Sequence, residues 1–138
     1  MFTFGRDHER KCAAAKLRKP DQAAMLVSVV DAVHDLLEGK SSLNEIRPIL
    51  IDAFIAGGSG VWETTGSWMR QIIAEHPDFS TVWCDLASHS DSQVRFRVAC
   101  FINDMPAPIA KEVGEHLRTD RSKKVREMAI DRLENPGT

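Results

Sequence analysis

The same helical pattern occurs twice between Leu86 and Leu133, and this repetition constrains the fold more than any other feature of the chain. When the sequence is shifted by 31 residues, Leu86 aligns with Leu117 and the dipeptide Val94-Arg95 aligns with Val125-Arg126. Apolar residues follow four and eight positions after each valine, at Val98 and Ile102 in the first copy and at Ala129 and Leu133 in the second. This spacing places the apolar side chains on one face of an α-helix. A period of this length predicts stacked helix pairs.

Capping residues, prolines and glycines divide the rest of the chain into further helices. Pro20 ends a first helix and Asp21 can cap the next, while Ser42 and Glu45 have the spacing of a capping box. A glycine-rich segment, 57–60, interrupts the pattern, and the helix after it has two possible starts, at Val61 or later with Ser67 as its cap. We expect one helical-repeat domain over 1–138 with about seven or eight helices: an amino-terminal helix over 7–19, helix pairs over about 22–56, 61–88 and 92–118, and a last helix over 124–134.

The doubled pattern resembles HEAT-like repeats, an α-solenoid family in which a turn containing Asp precedes Val-Arg. The matching residues are Asp91 with Val94-Arg95 and Asp120 with Val125-Arg126. The resemblance is good over about residues 78–134 and weak over 22–77. It implies an all-α fold, a right-handed stack of antiparallel helix pairs, in which the Asp and Arg often bond across neighbouring units. It also implies binding of other macromolecules rather than a particular reaction.

The sequence contains no motif that predicts an enzyme, a cofactor site or a metal site. The glycine-rich segment lacks the Gly-Lys-Ser/Thr ending of a phosphate-binding loop, and a helix rather than a strand precedes it. The five histidines are scattered without ligand spacing, and the three cysteines form no CxxC pair, which favours reduced thiols. No apolar run is long enough for a membrane span, and the start of the chain lacks the apolar core of a secretory signal. We therefore expect a cytoplasmic protein with no membrane partner, no small-molecule substrate and no cofactor.

Charge is strongly segregated along the chain although the net charge is only -2. Residues 1–19 carry a charge of +4, residues 20–93 carry -8, and residues 94–138 carry +2. An acidic surface steers encounters towards basic partners. The candidate partner-binding residues are the acidic and tryptophan side chains of the central and following segments, namely Asp52, Trp62, Glu63, Trp83, Asp85, Glu112 and Glu115.

The favoured hypothesis is a protein-binding module that masks a basic protein. Small proteins with this pattern resemble bacterial immunity proteins, which bind and block a toxin. Such toxins are often nucleases with a basic cleft, so an acidic surface would complement them electrostatically.

Two other functions remain open. The first is nucleic-acid binding, as in HEAT-like glycosylases for alkylated bases, through a basic cluster near the last two turns. Its members are Arg95, Arg97, Arg121, Lys123, Lys124 and Arg126. The second is a structural or regulatory subunit of a larger assembly, which is the usual role of a solenoid.

Overall fold

The computed structural model describes residues 4–136, and within them the chain forms eight α-helices and no strand. The all-α prediction and the number of helices are therefore confirmed, while the solenoid arrangement stays a prediction. The helices are α1 (Arg6–Lys16), α2 (Pro20–Leu37), α3 (Leu43–Ala56), α4 (Val61–Glu75), α5 (Thr81–Ala87), α6 (Ser92–Cys100), α7 (Ala107–Leu117) and α8 (Lys123–Glu134). Two short 3-10 helices, Pro77–Ser80 and Ile102–Asp104, precede α5 and follow α6.

The chain divides into two compact units, Met1–Met69 and Arg70–Thr138, with the boundary inside α4. In the first unit, α2 packs on α1 and on α3. The core side chains of α2 and α3 are aliphatic or aromatic and fully or almost fully buried; they include Leu26, Val29, Val30, Val33, Ile46, Leu50 and Phe54. By contrast, α1 buries only Ala13. Helices α2 and α3 therefore supply most of these core side chains, and α1 packs against α2 with little burial of its own side chains.

The amino-terminal ends of α2 and α3 are set by local sequence. The capping box is present as predicted: the Ser42 hydroxyl accepts from the Glu45 amide at 3.2 Å, and the Glu45 carboxylate accepts from the Ser42 amide at 3.0 Å. The predicted cap of α2 is wrong, because Lys19 rather than Asp21 is its N-cap and Pro20 is its first residue. Proline is well suited to that position, where its missing N–H would have no helical partner.

Helix α4 begins at Val61, which excludes the later start at Ser67. The amides of Val61 and Trp62 donate to the Gly58 carbonyl, which continues the turn into the helix. A Cβ added at Gly57 would lie 2.4 Å from the Ala53 carbonyl oxygen, so only glycine fits this close approach. Burial of one face compensates for the weak helix formers in the first turns.

In the second unit α5 packs on α7, and α6 packs on α8. The repeated apolar positions named above are buried, apart from Leu133, which is half-buried. In the first copy Ile102 lies beyond the α-helix, because α6 ends at Cys100 and Ile102 begins a 3-10 helix. Gly114 permits the close crossing of α7 and α8, since a Cβ there would lie 2.6 Å from Leu133 Cδ2.

Candidate partner-binding surfaces

The predicted binding residues of the first unit lie at its surface, although not all are fully accessible. Asp52 is exposed on α3, and Glu63 is exposed in the first turn of α4. The Glu63 carboxylate accepts a hydrogen bond from the Gly60 amide at 2.6 Å, so it also caps the helix. Trp62 is half-buried and its ring meets Phe54 edge-on at 6.2 Å between centroids. The indole of Trp62 therefore has one packed face and one accessible part.

Trp83 is the one predicted binding residue whose side chain lies in the core. Its exposed fraction is 0%, and its ring stacks on Phe101 with centroids 5.3 Å apart. A fully buried indole cannot contact a partner in this conformation. The prediction that Trp83 belongs to a binding surface is therefore corrected: Trp83 fills the core of the second unit.

The three acidic candidates of the second unit, Asp85, Glu112 and Glu115, are all exposed. Glu112 and Glu115 nevertheless line different grooves, although they lie three residues apart on α7. Glu112 faces α5 in a groove of about 260 Å³ that also contains Cys84 and His116. Glu115 lines a groove of about 430 Å³ with three cationic side chains, those of Lys111, Arg118 and Arg132.

The Cys84 thiol in the α5–α7 groove does not have the surroundings of a nucleophile. It donates to Glu112 Oε2 at a distance of 3.6 Å. Burial raises the pKa of the thiol, and the nearby charges of Glu112 and Asp85 raise it further. Since the thiolate is the reactive form, this cysteine is protected from ionisation rather than activated.

Arg95, a candidate for nucleic-acid contact, is bound by other groups of the second unit. Its side chain is 6% exposed and that of Asp120 is 7% exposed. Arg95 Nε and Nη2 donate to the two carboxylate oxygens of Asp120 at 2.8 and 3.2 Å, and Nη1 donates to the carbonyls of His89 and Ser90 at 2.9 and 3.0 Å. The pair thus joins the turn before α6 to the turn before α8.

The pKa of Asp120 reflects two opposing influences. Burial raises it, but the hydrogen bonds from Arg95 and the Ser122 amide, with the charges of Arg95 and Arg121, lower it by more. The net result is a pKa below the usual range of an aspartate. The cleft beside the pair has a volume of about 340 Å³, and most of its lining residues are polar, among them His116, Thr119 and Arg121.

The remaining basic candidates are also engaged within the second unit. Arg97 is buried, and the Arg126 guanidinium donates to the Asp120 carbonyl at 2.8 Å. The other three are exposed but have intramolecular contacts: Arg121 donates to the Ser90 carbonyl at 3.5 Å, Lys123 pairs with Glu127 at 3.8 Å, and Lys124 lies 5.9 Å from the centre of the Phe96 ring. Within the predicted basic cluster, Arg95 and Arg97 are therefore buried, whereas Arg121, Lys123 and Lys124 remain exposed.

Sequence reasoning missed an acidic row on α2 that binds α1. Asp31 and Asp35 lie one turn apart on α2, and Glu38 directly follows the helix as its C-cap, so the three carboxylates form a row. Arg6 Nη2 lies 2.6 Å from Asp35 Oδ1 and 2.7 Å from Glu38 Oε2, and Arg10 pairs with Asp31. The sequence did show that a basic segment, 1–19, precedes an acidic one, 20–93, but this contrast does not identify which residues form ion pairs.

The described residues contain no group of three or more His, Cys, Asp or Glu side chains that could hold a metal ion. None of the helices within residues 4–136 combines the length and hydrophobicity of a membrane-spanning helix. Comparison of the chain with protein-family models, curated proteins and solved structures found no match. The functional argument therefore rests on the residues themselves.

Proposed function

We propose that this chain is a protein-binding module that holds a basic protein against acidic surfaces, and that it acts as an immunity protein or antitoxin of HEAT-like architecture. The observation that carries the proposal is the contrast between the two sets of candidates. The residues Asp52, Glu63, Asp85, Glu112 and Glu115 are all exposed, whereas two of the basic candidates, Arg95 and Arg97, are buried. Exposed carboxylates can meet a cationic surface without first breaking a buried bond.

A nuclease-type toxin is the class of partner that fits this chemistry. A nuclease binds a polyanion, so its active-site cleft is basic, and an acidic protein surface can occupy it electrostatically. Nucleic-acid binding by this chain has less support, because a phosphate would have to compete for Arg95 with Asp120 and two carbonyl groups. Charge complementarity predicts fast association that weakens as salt is added.

The test is to mix the purified protein with the product of the gene immediately upstream and to measure complex formation and protection from toxicity. We expect a stable complex whose affinity falls as the NaCl concentration rises. Absence of a complex, together with absence of protection, would refute the proposal. A complex with duplex DNA but not with the protein would favour the nucleic-acid alternative instead.

Charge variants locate the surface in the second unit. We expect the triple variant Asp85→Asn, Glu112→Gln, Glu115→Gln to bind the partner at least about tenfold more weakly, since rim charges act on encounter and on pairing. The control changes three other exposed acids of the same unit, Glu75→Gln, Asp78→Asn and Glu134→Gln, and alters the net charge equally. Equal weakening by both triple variants would show that net charge, rather than this surface, governs binding.

A further inference from the structure

Helix α1 packs along α2, and the polar part of this contact consists of ion pairs that water can reach. It has 11 residues, of which only Ala13 is buried. An isolated helix of this length is marginal in water, so α1 depends on its contacts with α2. The side chains in these pairs are 26–45% exposed, which screens their attraction. Such a segment opens more readily than the core around it.

The pairs define an antiparallel register between α1 and α2. Arg6 meets the carboxy-terminal end of α2 at Asp35 and Glu38, and Arg10, one turn later, meets Asp31, one turn earlier. Two arginines four residues apart on α1 therefore face two aspartates four residues apart on α2. Any helix that presents two cations one turn apart can satisfy the same row.

Beyond the ion pairs, α1 covers a small cavity with apolar walls. Its volume is about 150 Å³, and α2 and α4 contribute Leu26, Thr64 and Trp68 to its lining. Ala13 and the stem of Lys16 close it from the side of α1, and Lys16 Nζ donates to Thr64 Oγ1 at 2.8 Å. Removal of α1 would therefore uncover both an apolar groove and the acidic row. A basic amphipathic helix can satisfy both, with apolar side chains for the groove and cations for the carboxylates.

We propose that the surface beneath α1, which comprises the carboxylate row and the groove at Leu26 and Trp68, is a docking surface for a basic amphipathic helix of the partner, and that α1 occupies it as an intramolecular competitor. This inference rests on the proposed function, because it takes the partner to be basic. To the proposed function it adds a further surface, in the first unit, the kind of segment that this surface recognises, and a means of regulating the binding. The apparent affinity for the partner is reduced by the fraction of molecules in which α1 is docked.

The first experiment measures whether α1 opens by itself. Hydrogen exchange of the wild-type protein is followed in 0.05 M and 0.5 M NaCl. We expect the amides of α1 to exchange at least about tenfold faster than the core amides of α2, and to lose protection as salt rises. Protection of α1 equal to that of α2 and independent of salt would overturn the inference.

The second experiment measures competition for the docking surface. The probe is a labelled synthetic peptide of residues 4–19 with serine in place of Cys12. We expect the double variant Arg6→Glu, Arg10→Glu to bind this peptide about tenfold or more tightly than the wild type does, because its own α1 no longer competes. The matched control, Lys11→Glu with Arg18→Glu, makes the same charge change at exposed residues outside the ion pairs and should bind as the wild type does.

Changes on α2 supply the complementary test. In the background of the double variant, Asp35→Asn should weaken peptide binding, while Asp21→Asn near the other end of the same helix should not. Equal effects of these two substitutions, or equal effects of the two α1 variants, would refute the docking surface.

The outcomes separate this inference from the proposed function. If a protein partner binds the wild type and Asp35→Asn leaves its affinity unchanged, the proposed function stands and the docking surface is refuted. Conversely, if the peptide binds as expected but no protein partner binds the chain, the docking surface is supported and the proposed function is refuted.

Discussion

Removal of the Asp120 charge should destabilise the second unit, because it leaves the Arg95 guanidinium buried without its counter-ion. Both side chains are less than a tenth exposed, and two hydrogen bonds join them. Breaking a buried ion pair by changing one partner typically costs about 3–5 kcal/mol. Asparagine retains one acceptor oxygen, and the polar cleft admits water near the pair. We therefore expect Asp120→Asn to lower the free energy of unfolding by about 3 kcal/mol.

A double-mutant cycle distinguishes a charge effect from general damage. Arg95→Met should cost about 2 kcal/mol, because Asp120 keeps its hydrogen bond from the Ser122 amide at 2.8 Å and the freed carbonyls of His89 and Ser90 can be hydrated in the cleft. In the double variant no buried charge lacks a partner, so its loss should fall short of the sum of the single losses by about 1.5 kcal/mol or more.

The assay is urea unfolding followed by far-UV circular dichroism, with Asp104→Asn as the control. Asp104 is an exposed aspartate of the same unit, and its substitution should stay within about 0.5 kcal/mol of the wild type. An equally small effect of Asp120→Asn, or strict additivity in the cycle, would refute the reasoning.

The same pair gives a pH dependence whose sign follows from the lowered pKa of Asp120. A carboxyl group whose pKa is lower in the folded state stabilises the fold above its unfolded pKa, about 3.9. That contribution is lost as the pH falls through the lower, folded value. The difference in stability between wild type and Asp120→Asn should therefore be complete at pH 7 and shrink at pH values below about 4. A difference that stays constant at pH 3 would contradict a role of the charge.

Three further changes test other features of the two units. Trp83→Ala should cost about 3–5 kcal/mol in urea unfolding because the indole is fully buried, and a loss as small as that of Trp62→Ala would contradict its place in the core. Ser42→Ala should cost about 1 kcal/mol through loss of the capping box, whereas Ser59→Ala, in the exposed loop after α3, should be close to neutral; equal losses would argue against the cap. In thiol labelling at pH 8, exposed Cys12 should react before Cys84. Cys12→Ser should therefore remove the fastest labelling phase. A fast phase that remains in this variant would show that another cysteine is more reactive than its burial implies.

Local sequence signals were sufficient to predict those features of the structure that depend on residues close together in the chain. The capping box at Ser42 is an example, since both of its hydrogen bonds span three residues. They were insufficient in α4, where burial of Val61, Thr65 and Met69 on one face outweighs the poor helix propensity of its first turns. The place of Trp83 was equally undetermined, because its counterpart 31 residues later is Gly114 and the repeat sets no requirement for that position.

The acidic row on α2 depends on contacts between residues 21–32 positions apart, which no local pattern specifies. Charge segregation indicated that the first segment and the acidic segment would attract each other. It gave no register, because several carboxylates lie at helical spacing along the acidic segment. In the structure the register is defined by the ion pairs, and Ala13 is the one residue of α1 that is buried.

The Arg95–Asp120 and Arg6–Asp35 pairs differ in solvent exposure, and this difference determines what each pair can do. Arg95 and Asp120 are 6% and 7% exposed, so either charge would lose its compensation if the pair separated. Arg6 and Asp35 are 26% and 32% exposed, so water and salt can solvate both charges when they part. The first pair is consequently suited to hold two turns in one arrangement. The second is suited to exchange one cationic helix for another, which is the property that a displaceable α1 requires.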